Sequence, residues 1–195
     1  MKVIFLDHDG VICLSTEWGG RHKKQKKWGG RKMSMSHREI PLEYRFDNFN
    51  KNAVKVLNEI LEDTGAEIVV SSDWVLYATL EEMGQYYESQ GIIKKPFAFT
   101  PLLNDCNYDD SFPWDKTWDL EQSRSIEIKQ YLADHPEITN WVAVDDLNMG
   151  KKGLYYSMEF EHEWGLDNFV LTEKDSEGIK QTGIKEKIKS FLSNE

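Results

Sequence analysis

Short apolar runs alternate with longer amphipathic stretches along this chain. Val3–Leu6 is wholly apolar and stops at Asp7-His8-Asp9-Gly10, which predicts a buried strand and a turn. From Asn50 the spacing becomes helical: Ala53, Val54, Leu57, Ile60 and Leu61 share one face, and Gly65 stands where a C-cap glycine belongs. Ile68–Val70 predicts a second strand ending in Ser71-Ser72-Asp73-Trp74. Leu80, Met83 and Tyr87 mark one side of a helix that Gly91 stops, and Phe97–Phe99 a short third strand. Residues 101–122 form a long connection holding two similar pieces, Trp114-Asp115 and Trp118-Asp119. Ser123 is the expected cap of a helix running to about Ala133, with Ile128, Tyr131 and Leu132 inward. Trp141–Val144 is a fourth strand, ended by Asp145-Asp146, and Phe169–Leu171 a fifth. Thr182 then caps an amphipathic helix through Ile184, Ile188, Phe191 and Leu192.

Buried strands separated by helices predict an α/β fold whose parallel sheet is covered on both faces. Right-handed crossovers bring every strand C-terminus to one edge, and ligands bind there. At that edge the sequence places Asp7, Asp9, Ser71, Asp145 and Asp146. Crowded carboxylates raise one another's pKa unless a cation intervenes. A hard divalent ion with oxygen ligands is such a cation, and Mg²⁺ takes few carboxylates and leaves room for a phosphate. Beside it one aspartate can stay ionised and attack a phosphoryl group, while a carboxyl two residues on reaches the leaving oxygen as acid and later activates water. Gly10 lets the chain fold over so that backbone N–H groups approach a phosphate.

The chain has 195 residues and a composition of 30% charged and 12% aromatic, which predicts one globular domain over 1–195 rather than a disordered one. Its net charge of −10 argues against indiscriminate binding to nucleic acid or anionic membrane. One segment runs the other way. Trp18–Lys32 carries seven Lys and Arg residues and no acid, and repeats Trp-Gly-Gly-Arg at Trp18–Arg21 and Trp28–Arg31. It lies within residues 13–48, which show little periodicity and read as an insertion after strand one. Cys13 and Cys106 are the only cysteines, so no disulfide-linked partner and a reducing cytoplasm are expected. The first apolar run is too short for a signal sequence, and no segment approaches the length of a membrane span.

The order "VIFLDHDGVI", "EIVVSSDW", a basic residue opening a helix, then "WVAVDDLNM" resembles the haloacid dehalogenase (HAD) superfamily of phosphotransferases. "TGAEIVVSSDW" and "FVLTEKDSEGI" are similar to the HAD domain of multifunctional RNA-repair proteins. The resemblance covers residues 1–12, 50–100 and 122–195, and departs at Val75, where the repair-type relatives carry Arg. It implies a HAD-type Rossmann-like sheet of order 5-4-1-2-3 with a flap or cap inserted after strand one. It implies Asp7 as nucleophile and Mg²⁺ ligand, and Asp9 as acid/base with its carbonyl on the metal. Ser71, with Ser72 as the alternative, would bind the transferring phosphoryl, and Asp145 and Asp146 would hold Mg²⁺. Arg124, with Lys116 as runner-up, would be the cation that steadies aspartate and phosphate.

The activity so implied is Mg²⁺-dependent phosphomonoester hydrolysis, on a nucleic-acid terminal (3′) phosphate or a nucleotide. The basic block would emerge beside the site, its Gly-Gly pairs as hinges, its Trp residues stacking on bases, and Arg21, Lys23, Lys24, Lys26 and Lys27 drawing in the anionic substrate. One alternative is a HAD-shaped nucleic-acid-binding protein without turnover. Another is a phosphoacceptor receiver-like domain, but that requires the acidic pair after strand one and a lone Asp after strand three. An EF-hand calcium loop does not fit, because Gly10 comes too early and Val11 occupies a ligand position. His8 should point away from the aspartates, and His37 and His162 have no partners at metal-ligand spacing.

Overall fold

A computed structural model of the chain describes residues 1–29, 36–102, 120–150, 154–157, 160–163 and 165–193. Cys106, Trp114, Lys116, Trp118 and the end of the basic block from Gly30 to Lys32 lie outside them.

The central strand is β1 (Lys2–Leu6), flanked by β2 (Glu67–Val70) and β4 (Asn140–Asp145), with β3 (Ala98–Phe99) and β7 (Phe169–Leu171) outside. The order β3-β2-β1-β4-β7, parallel throughout, is the expected 5-4-1-2-3 arrangement. A receiver domain has strand one at a different place, in the order 2-1-3-4-5. That alternative is therefore excluded. Leu6 pairs with both Val70 and Val144, so the three central strands end level. Asp7, Ser71 and Asp145 consequently leave the sheet side by side.

The strands lack a polar face because both sides are covered. Ile4, Leu6, Ile68, Val70, Val142 and Val144 pack against α3 (Lys51–Thr64), α4 (Leu80–Ser89) and α6 (Ile184–Leu192). Val3, Phe5, Val69 and Ala143 pack against α5 (Leu120–Asp134). The face of α3 read from its spacing is buried, Asn50 caps it by accepting from the N–H of Asn52 and Ala53, and Gly65 ends it in the left-handed conformation. Each such apolar side chain contributes roughly 1.5–3 kcal/mol on burial, and the cap about 1.

Several boundaries differ from expectation. α5 is already helical at Leu120, so Ser123 lies inside it rather than capping it. Gly183, at φ 86°, takes the N-cap expected of Thr182. Leu80 is 40% exposed, because α4 turns Met83, Gly84, Tyr86 and Tyr87 to the core instead. An antiparallel hairpin, β5 (Leu154–Ser157) and β6 (Phe160–Glu163), stands apart from the main sheet.

In its described residues the insertion after β1 is more regular than its pattern implies. Cys13 and Leu14 at its start and Phe46 at its end belong to the core. Between them lie α1 (Gly20–Trp28), a 3₁₀ turn (His37–Glu39) and α2 (Leu42–Arg45). The buried Arg45 ties this segment to the rest: it donates to the carbonyls of Arg38, Ile40 and Tyr77 and to both carboxylate oxygens of Glu82. The repeated tetrapeptide brackets one helix, with Gly19 at the N-cap of α1 and Gly29 at its C-cap, both left-handed. Gly19 and Gly29 are thus helix ends.

Candidate active site

Asp7 continues β1 for one more bond, donating its N–H to the Val144 carbonyl at 3.1 Å. The chain then turns at Gly10, whose φ is +69°. A Cβ there would fall 2.6 Å from Cγ of Asp146, so glycine is what allows that carboxylate to come in. The Gly10 N–H donates to the Cys13 carbonyl and its own carbonyl accepts from Thr172 Oγ1. Both backbone groups of Gly10 are therefore engaged within the protein, and its contribution here is space.

Asp7 and Asp145 are almost wholly buried, and Asp146 stands at the mouth. One oxygen from each of the three lies within 4.8 Å of the others. Arg124 reaches in from α5: Nη1 is 2.9 Å from Asp7 Oδ1 and 3.0 Å from Asp145 Oδ2, and Nη2 is 3.0 Å from Asp73 Oδ1. Asp145 Oδ1 accepts the Leu147 N–H at 2.8 Å. One guanidinium thus faces three clustered carboxylates, and the site carries an excess of negative charge.

Burial, more than that excess, governs the protonation of these acids. Burial raises the Asp7 pKa well above the usual range and Asp145 raises it further, while Arg124 and the Ser72 hydroxyl lower it. Asp145 is raised by burial against the pull of Arg124 and the Leu147 N–H. Asp146 is pushed up to about 6, by burial and then by Asp145. A hard divalent ion relieves all three at once, and an all-carboxylate donor set matches its preference for oxygen. The residues present therefore fit such an ion.

A cavity of about 160 Å³ opens over the cluster, lined by Asp7, Asp9, Ser72, Asp73, Leu120, Arg124, Asp146 and Leu147. Of the two candidate hydroxyls, Ser72 lines it. Ser71 is still in the sheet, its N–H bonded to the Leu6 carbonyl, and its buried Oγ has no partner among the described residues. Asp9 contributes to the wall, but its carboxylate is outside the three-acid cluster and accepts a 2.8 Å bond from Trp74 Nε1. His8 points the other way, into an aromatic nest of Phe49, Trp74 and Tyr87, with Nε2 2.7 Å from the Tyr87 hydroxyl. Burial, helped by Arg124, lowers its pKa to about 3, so it is a neutral structural ring.

None of Arg21, Lys23, Lys24, Lys26 and Lys27 lines the cavity. They divide by face of α1. Arg21 and Lys24 turn inward, to Asp47 at 3.8 Å and to Asn48 Oδ1 at 2.9 Å, beside Gln25 and Trp28, which bind the Tyr44 carbonyl and ring. His22, Lys23, Lys26 and Lys27 are exposed on the outer face. Of the tryptophans expected to stack on bases, Trp28 is thus stacked on Tyr44, and Trp18 is 45% exposed.

Asp73, Trp74, Asp47 and Leu147 were not singled out by the sequence, although the first two sit in the same tetrapeptide as the serines.

A parallel sheet in this order, with strand-end carboxylates gathered round an arginine and an insertion after the first strand, defines a phosphotransferase domain of the HAD type. A family model described as the HAD domain in Swiss Army Knife RNA repair proteins matches residues 3–182, and the chain belongs to that family. No curated protein and no solved structure matches significantly. The fold and the acidic cluster together support phosphatase activity. Among the described residues Cys13 is a buried free thiol, and no helix is long and apolar enough to cross a membrane.

Proposed function

We propose that the protein is a cytoplasmic, Mg²⁺-dependent phosphomonoesterase that works through an aspartyl-phosphate on Asp7. The observation that carries this is the gathering of Asp7, Asp145 and Asp146 around Arg124 at the end of the central strands. Those three side chains, with the carbonyl of Asp9, would hold the ion. When bound, it neutralises charge on the phosphoryl group and orients it.

The protein's own groups do the rest. An Asp7 oxygen attacks phosphorus, the bond to the leaving oxygen breaks, and its electron pair takes a proton from Asp9. Water then gives a proton to Asp9 and attacks phosphorus, and the bond to Asp7 breaks, restoring its carboxylate. Arg124 fixes the Asp7 carboxylate, and Ser72, which lines the cavity, is better placed than Ser71 to donate to a phosphoryl oxygen.

The substrate we favour is a terminal 3′ phosphate of a nucleic acid, or a nucleotide. The family description and the cations of α1 support it. Lys23, Lys26 and Lys27 have no acidic partner among the described residues and suit backbone phosphates, whereas Arg21 and Lys24 hold α1 in place. Phosphate release across nucleotides, 3′- and 5′-phosphorylated oligonucleotides and sugar phosphates tests the reading. Turnover should require Mg²⁺ and disappear in Asp7→Asn. Turnover that survives in Asp7→Asn would refute it.

A further inference from the structure

Trp74 is 3% exposed, yet its ring N–H is directed at the cavity wall, 2.8 Å from Asp9 Oδ2. Its ring is clamped. Phe46 stacks on it at 4.6 Å and 8°, and Phe49 at 5.5 Å and 17°. His8 meets it edge-on at 4.7 Å. A clamped indole is a donor of fixed direction. Asp9, by contrast, sits on the turn after β1, and besides the indole its carboxylate meets the buried Cys13 thiol, a weaker donor. An indole can only donate, so Oδ2 is engaged as an acceptor. The proton of a neutral Asp9 is then left to Oδ1.

We infer that Trp74 is a positioning residue: its N–H fixes the Asp9 side chain and leaves Oδ1 as the oxygen that gives the proton to the leaving group and takes one from water. The inference rests on the phosphatase reading above. The balance of the first step is unchanged: the P–O bond to the leaving group breaks as the Asp7–phosphorus bond forms, and the Oδ1 proton ends on the leaving oxygen. Trp74 keeps its own proton throughout. Phe46 closes the insertion and Phe49 follows it, so the stack also makes the setting of Asp9 depend on how the insertion is seated.

The test is leaving-group dependence. A general acid matters when the departing oxygen is basic and little when it is not, so kcat/KM is compared for phenyl phosphate and p-nitrophenyl phosphate with saturating Mg²⁺. Trp74→Phe keeps an aromatic ring in the stack and removes the donor. It should lose roughly 10- to 100-fold on phenyl phosphate and only about twofold on p-nitrophenyl phosphate, a part of the 10²–10⁴ range of general acid catalysis. Replacing Trp74 by 3-benzothienylalanine, which keeps the bicyclic shape without the N–H, should give the same selectivity if the phenylalanine variant folds poorly. Adding Trp74→Phe to Asp9→Asn should cause no further loss. Equal losses on both esters, or an additive loss in the double variant, would overturn the inference. If Asp9→Asn is selective and Trp74→Phe is not, only the role of Trp74 is overturned. A wild-type protein inert toward both esters overturns the phosphatase reading and this inference with it.

Discussion

Replacing Arg124 by Met probes the electrostatics of the site without touching the acids. Arg124 is 8% exposed, and Nη1 lies 2.9 Å from Asp7 and 3.0 Å from Asp145, both buried. Methionine fills much of the volume and leaves the two carboxylates facing each other without a countercharge. Breaking a buried pair in this way costs about 3–5 kcal/mol, and the exposed Asp73 contact adds under about 1. In a domain of this size about 1 kcal/mol corresponds to 2–4 °C, so metal-free protein should melt roughly 6–20 °C lower at pH 7 to 8. The pH dependence has a definite sign. Asp7, Asp145 and Asp146 have folded pKa values above the ordinary aspartate range, with Asp146 at about 6. The native state therefore binds more protons than the unfolded state, and stability falls as pH rises. The penalty is absent below about pH 4, where both states are protonated, and Asp146's share is complete once pH passes its folded pKa of about 6. Without Arg124 that fall should be steeper, and the loss small near pH 4. Saturating Mg²⁺ at 100 times Kd returns about 2.7 kcal/mol. Thermal melts of both proteins from pH 4 to 8, in EDTA and in Mg²⁺, provide the comparison. A variant melting within about 2 °C of wild type at pH 8 in EDTA, or equally destabilised at pH 4 and 8, would refute the reasoning.

Three further perturbations test separate parts of the site. Gly10→Ala pushes a Cβ against the Asp146 carboxylate at a positive φ, so Mg²⁺ affinity by calorimetry should drop about tenfold or more and stability by roughly 1–2 kcal/mol. Changing Lys23, Lys26 and Lys27 together to Gln should leave the melting temperature and p-nitrophenyl phosphate hydrolysis unchanged; if each meets one phosphate of a single strand, the salt slope of oligonucleotide binding falls by about 0.7 per lysine. Asp47→Ala removes the acceptor for the Gly19 and Arg21 N–H groups and the partner of the Arg21 guanidinium, so α1 should exchange its amide hydrogens faster while the core sheet does not.

The sheet was legible because its central strands are short apolar runs buried on both faces and ended by acids or hydroxyls. Arg124 was legible as a lone cation near the start of a helix that leads into β4. α1 was not, because it buries no residue: a helix without an apolar stripe has no periodicity, and this one is held by polar contacts to Asp47, Asn48 and Tyr44. The choice between Ser71 and Ser72 turns on where the ladder stops. Ser71 still bonds to Leu6, and only the next residue clears the edge. The Trp74–Asp9 bond spans 65 positions and joins two strand-end turns, so no local pattern encodes it.

Acid-quenching the protein during turnover with excess substrate and Mg²⁺, then mapping its peptides by mass spectrometry, tests the central claim most directly. The account predicts the added mass of one phosphoryl group on the peptide carrying Asp7, labile to hydroxylamine and missing from Asp7→Asn. Steady phosphate release with that peptide unmodified, or a phosphoryl group on another residue, would contradict it.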